Sequence, residues 1–276
     1  MLKYLAPMAA AVLLAGSLGA ARAADAKAPA PAKIKLLILS GANNHKWQET
    51  TPVLRKMYED SGRFSVDVSE DVPHLTGADF AKYDCIVCNY TTYPNVQGHR
   101  WPAETEKAFL DYVKAGHGFV LFHAASTAWM DWPEFGDLIG LTWQKDQKGR
   151  NISGHGAKHA FKVHIADPNH PITAGLADFT HVTDELYHRQ KLHGGAKVLA
   201  TALSAKDKGG SGADEPMIVV TEYGKGRCFN NAMGHDAKAM QGPGFQMLTL
   251  RGTEWAATGK VTIAPKAGRD EGDKER

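Results

Sequence analysis

Cysteine is scarce in this 276-residue chain, which holds only Cys85, Cys88 and Cys228. That excludes a disulfide framework as the organising principle of the fold. The stretch "CIVC" has the spacing of a redox dithiol, but it lies in an apolar run flanked by "YD" and "NY" that reads as a strand. Residues three apart on a strand point to opposite faces, so these thiols are expected to be buried structural groups that do not meet. A membrane-spanning run is also lacking. The apolar stretch after Lys3, "LAPMAAAVLLAGSLGA", is shorter than the roughly 20 residues a spanning helix needs, and nothing later approaches its length. Followed by "ARA" at 21–23, it reads as a secretory signal peptide over residues 1–23, cleaved after Ala23. The expected mature protein is secreted or periplasmic, with no stable membrane insertion.

Surplus positive charge is the third absence. Lys plus Arg number 32 against 30 Asp plus Glu, and the signal segment holds Lys3, Arg22 and no acid, so the mature chain balances at 30 to 30. Phosphate recognition needs clustered excess Lys and Arg, so no nucleic-acid partner is expected. The chain has no GxGxxG or P-loop pattern, no HExxH or paired CxxC zinc spacing, and no GxSxG elbow around Ser126. Nucleotide binding and serine nucleophile chemistry therefore have no motif behind them. A divalent metal is left without a signature, neither assigned nor excluded.

What the chain does have is alternation of strands and helices. Residues 24–33, "ADAKAPAPAK", read as a flexible linker and 265–276 as a charged, disordered tail, leaving 34–264 for one α/β domain. Strands are expected at 33–40, 64–71, 83–90, 119–125, 159–167 and 196–203, with a hairpin over 215–236 turning at Tyr223 to Gly226. Helices are expected at 50–62, with Pro52 in its first turn, at 101–118 and at 242–259. All-apolar strands such as "GFVLF" belong at the centre of a parallel sheet covered on both faces.

Ligands of open α/β sheets sit beyond the carboxyl ends of the strands. There the sequence places Asn43, Asn44 and His45 after the first strand, Tyr90, Thr92 and Tyr93 after the third, and His123 at the end of the fourth. Asn44 also suits a helix N-cap, which would leave His45 merely opening a helix. Further on, "HVTDELYHRQ" packs Asp184, Glu185, Tyr187 and His188 together, and "GRCFNNAMGHD" runs out on His235 and Asp236. Histidines at two strand ends with carboxylates nearby suit either general acid/base catalysis or metal ligation.

Taken in order, "GHGFVLFHAA", "HPITAGL", "TDELY", "GKGRCFNNAMGHD" and "LRGTEWAA" resemble the trehalose-utilisation, or ThuA-like, family over roughly residues 34–264. The resemblance implies a class I glutamine amidotransferase-like fold, a three-layer α/β sandwich around a mostly parallel sheet with a flavodoxin-like core. It sets His123 near the place of the amidotransferase nucleophile, with no cysteine beside it, and His235 near that of the amidotransferase histidine, which argues against glutaminase activity. It also implies a small-molecule carbohydrate partner, a keto-sugar or 3-keto-glycoside undergoing elimination, hydrolysis or isomerisation. On that reading His123, His235, Asp184 and Glu185 are catalytic, and Asn44, His45, Tyr93 and Tyr187 hold the sugar. The alternative is a non-catalytic carbohydrate-binding module on the same fold, with Tyr93, Trp129, Trp132 and Trp143 stacking on sugar rings. A purely structural domain predicts no buried cluster of His123, His235 and Glu185. Neither the sugar nor the oligomeric state is fixed by the sequence.

Overall fold

Strand β1 (Ile34–Leu39) pairs in parallel with β2 (Phe64–Ser69) and β3 (Cys85–Cys88), and β3 pairs in parallel with β4 (Gly118–Phe122). The computed structural model, which describes residues 32–94 and 101–265, continues this sheet to nine strands. The others are β5 (His159–Ile165), β6 (Phe179–Asp184), β7 (Lys197–Leu203), β8 (Asp214–Tyr223) and β9 (Gly226–Asn231). Their order is β2-β1-β3-β4-β9-β8-β7-β5-β6. β9 joins β4 in parallel, and every later neighbour is antiparallel. All but β8 and β5 therefore run in one sense, and the carboxyl ends of β1, β3, β4, β9 and β6 point to the same edge. The expected signal peptide, most of the linker and most of the tail lie outside the described residues.

Alternating side chains divide the core into two layers. Val120 and Phe122 face the side covered by α1 (Trp47–Asp60) and α4 (Pro243–Thr258). Phe119 and Leu121 face the side covered by α2 (Ala103–Lys114) and α3 (Pro133–Ile139). This is the expected three-layer arrangement. α4 presses so closely on β9 that a Cβ at Gly252 would lie 2.4 Å from the Phe229 ring. Cys85 faces the α1/α4 layer and Cys88 the α2/α3 layer, so the "CIVC" thiols do lie on opposite faces.

All three cysteines are fully buried, and burial pushes the Cys88 thiol up to about 12 and the other two upward as well. The thiolate is the reactive form. Ellman's reagent is therefore expected to label no thiol in the native protein and three after denaturation. Rapid native labelling would contradict this packing.

Two expectations need correction. α1 begins at Trp47 behind Lys46, so Asn44 does not cap it and Pro52 is an interior residue rather than a first-turn one. Pro52 is tolerated because it sits on the exposed side of the helix. The polar stretch from His181 carries no strand signal in its sequence, yet β6 includes it. Its fully buried positions, His181 and Asp184, are polar and three residues apart, so no apolar alternation marks the strand.

Candidate metal centre

β4 is buried on both faces and ends because His123 takes a φ of +42°, in the left-handed region. A non-glycine residue held there costs on the order of 1–3 kcal/mol, and such strain gathers at functional sites. Residues His123–Thr127 form a short helical turn in which the Ser126 hydroxyl donates to the His123 carbonyl at 2.8 Å. The His123 Nδ1–H donates to the Ala232 carbonyl at 2.9 Å, because a carbonyl can only accept. In the neutral ring this leaves the Nε2 lone pair facing Glu185 Oε2 at 3.4 Å.

Two more imidazoles converge on that oxygen. Asn43 holds the turn after β1, accepting from the His45 N–H at 2.9 Å and donating to the Asn89 carbonyl at 3.3 Å, and His45 Nε2 lies 3.9 Å from Glu185 Oε2. His235 follows β9 and Gly234, whose φ is +105°, and its Nδ1 lies 3.0 Å from the same oxygen. The three rings pack with centroids 4.3 to 5.5 Å apart. One ligand atom from each of His45, His123, Glu185 and His235 falls within 4.8 Å of all the others.

The hydrogen-bonding account of this cluster does not close. His45 Nε2, His123 Nε2 and His235 Nδ1 are buried without a hydrogen-bond partner, the last being close to Glu185 but misdirected. A buried unsatisfied polar atom costs roughly 1–3 kcal/mol, and here three gather at one point. Burial, followed by the neighbouring His123 and His235, lowers the His45 pKa from 6.5 to about 3, so this ring is neutral at pH 7. Imidazole lone pairs aimed at a carboxylate are what a cation would satisfy. With imidazole and carboxylate donors and no thiolate, the set suits a divalent first-row ion such as zinc, manganese, cobalt or nickel.

The shift at His45 has a signed consequence for the metal-free protein. The unfolded chain takes up this proton near pH 6.5 and the folded one only near 3, so stability falls as pH drops through that interval. Metal-free protein is expected to melt at progressively lower temperature from pH 6.5 down to 4, with His45→Gln flattening the dependence. Parallel profiles for the two proteins would contradict it.

Other sequence-selected residues surround the cluster. Tyr187 is buried and stacks on His123 with centroids 3.9 Å apart, and burial raises its phenol well above 10. Trp143 packs edge-on to Tyr187 at 4.9 Å, and Tyr93 stands beyond it at 6.5 Å. Asn151 binds both the Tyr93 hydroxyl and the Trp143 indole N–H. A cavity of about 700 Å³ is bounded by His45, His235, Asn44, Lys46, Lys158 and Asp236, among others. Trp129 and Trp132 are buried in the α2/α3 layer and are not available to stack on a sugar.

Three placements differ from the sequence reading. His45, expected among sugar contacts, is part of the cluster itself. Asp184 does not present its carboxylate to the ring nitrogens of the cluster; its oxygens take the backbone N–H groups of Glu185, Gly234 and His235 and the His181 ring. His155, in the second "GHG", is not among the expected site residues, yet its Nε2 lies 3.7 Å from Glu185 Oε2 and the side chain is 41% exposed. The only signal for it in the sequence is its place between two glycines.

The family model for trehalose utilisation, ThuA, matches residues 35–256. The chain belongs to the ThuA family. A ThuA-like protein from Parabacteroides merdae is 37% identical, with a TM-score of 0.74 over 85% of this chain and 93% of that one. One from Bacteroides uniformis is 19% identical, with a TM-score of 0.59 over 85% and 96%. A GMP synthase subunit from Thermoplasma acidophilum is 10% identical, with a TM-score of 0.51 over 83% and 96%, a likeness of fold alone. No curated protein matches the chain. The ThuA assignment and the amidotransferase-like fold expected from the sequence both hold. No described helix is long and apolar enough to cross a membrane.

Proposed function

We propose that this ThuA-family protein is an exported, metal-assisted enzyme acting on a keto-sugar, with a 3-keto-glycoside as the type substrate. The observation that carries the reading is the convergence of three orphaned imidazole nitrogens on Glu185 Oε2. A purely structural domain gives no reason to bury such a cluster. His45, His123, His235 and Glu185 would hold a divalent cation, which when bound supplies Lewis-acid polarisation of a carbonyl oxygen. The expected signal peptide supports the export part of the proposal.

The chemistry follows from the ketone. A carbonyl at C3 acidifies the proton on C2, so a base can remove it and send the electron pair toward the C3 oxygen. The enolate then expels the substituent at C1, breaking the C1–O bond, and the departing alkoxide takes up a proton. The products are an alcohol and an unsaturated keto-sugar, with no redox partner needed. His155 would be the base. Its Nδ1–H donates to the Gly156 carbonyl at 2.9 Å, leaving Nε2 of this partly exposed side chain as proton acceptor beside the cluster. Tyr93, Trp143 and Asn151 offer an aromatic surface for the sugar and the Asn44-lined cavity a polar one. No cysteine stands at the His123 turn to serve a glutaminase.

The test is proton NMR of methyl 3-keto-glucoside in D2O with the purified, metal-loaded protein. Loss of the C2 proton signal and release of methanol are expected. Sugar binding by calorimetry without either change would favour the carbohydrate-binding module instead.

A further inference from the structure

Asp184 is fully buried, yet it is a charged residue at the end of an edge strand. Its partners account for it. Oδ2 accepts from the His181 Nε2–H at 2.9 Å and from the Gly234 N–H at 2.7 Å. Oδ1 accepts from the Glu185 N–H at 2.8 Å and from the His235 N–H at 3.1 Å. His181 is itself 1% exposed and stands against the Phe161 ring at 5.3 Å. One carboxylate thus gathers the backbone of two cluster residues that lie fifty positions apart in the chain, together with the glycine before one of them.

We propose that Asp184 is a positioning residue that sets the geometry of the metal centre, with His181 as its anchor. This rests on the metal-assisted reading above for its consequence and on the hydrogen bonds alone for its structure. Glu185 follows β6 and His235 follows β9, and among the described residues β6 pairs directly only with β5, so no ladder hydrogen bond there fixes one against the other. Asp184 supplies the missing tie. Gly234, with φ +105°, lets the chain turn so that two successive N–H groups reach the same carboxylate. A carboxylate offers about four lone-pair sites, and all four bonds here arrive from N–H donors. The side chain is therefore committed as an acceptor and has no oxygen left to exchange protons with a substrate.

The test variant is Asp184→Asn, which keeps the shape but turns an NH2 group toward N–H donors. Affinity for Co(II), followed by its visible absorption, is expected to fall 10- to 100-fold, as for other outer-shell partners of metal ligands. The Co(II) spectrum should also change shape, which a remote loss of stability would not produce. Affinity within twofold of the parent with an unchanged spectrum, in a folded variant, would overturn the proposal. Should Asp184→Asn fail to fold, His181→Gln takes its place, with a threefold or greater loss expected and no loss overturning it.

Amide chemical shifts and hydrogen exchange of Gly234, His235 and Glu185 in the metal-free protein provide an independent readout. Those three amides are expected to be protected and to lose protection together in the variant. Unprotected amides in the parent would overturn the positioning role whatever the metal result. Protected amides in a protein that binds no Co(II) would sink the metal reading and leave the positioning role standing.

Discussion

Glu185→Gln is expected to abolish stoichiometric binding of a divalent cation, with affinity falling more than about 100-fold, since outer-shell partners alone are worth 10–100-fold. The reason is geometric. Oε2 is the atom on which His45, His123 and His235 all converge, at 3.9, 3.4 and 3.0 Å. Replacing the carboxylate with an amide removes the only negative charge in the four-residue set and sets a neutral group against three imidazoles. The fold should survive, because the Glu185 side chain takes no part in the hydrophobic core. Its backbone N–H also remains bound by Asp184. Isothermal titration with Zn(II) or Co(II), beside circular dichroism, reads both halves. Retained affinity in a folded variant would mean that the carboxylate is not a ligand.

The second large effect concerns the histidines. His123→Ala and His235→Ala are each expected to lower turnover of a 3-keto-glycoside by about 1,000-fold or more, and to lower metal content with it. His45→Ala should behave the same way, which sets it apart from a residue that only contacts sugar hydroxyls. His155→Gln should separate the two properties, keeping the metal and losing turnover to a similar extent. A His123→Ala variant with parental turnover would contradict the assignment. The left-handed φ of His123 adds a reason to expect a sharp result, because the structure holds this residue's backbone in a conformation that a non-glycine residue does not favour.

Much of this arrangement was legible in the sequence because it follows from strand order and hydropathy. "GFVLF" reads as a central strand, and a parallel sheet then dictates that whatever follows it lies on the ligand-binding edge. That reasoning reached His123 and His235 at two strand ends without a motif, whereas Glu185 stood out only by its place in a short polar stretch. It put His45 on the same rim but could not bring its ring to Glu185, because the turn that aims it depends on Asn43 bonding to Asn89, a contact between two strand ends. Nor could it distinguish Asp184 from Glu185. Neighbours on a chain share a sequence context, but one carboxylate turns to the backbone of the "GHD" segment and the other to the imidazoles. His155 was missed for a related reason. It lies on a two-residue strand, Gly154–His155, paired with Tyr187–His188, too short to leave any periodic signal.

The central claim is that the four-residue cluster is a metal site rather than a set of acid/base groups. Elemental analysis of the purified full-length protein, before and after dialysis against a chelator and reloading, tests it most directly. The account predicts about one divalent first-row ion per chain, lost to the chelator, restored by Zn(II), Mn(II) or Co(II), and absent from Glu185→Gln. A protein that neither carries nor takes up a stoichiometric divalent ion would contradict it.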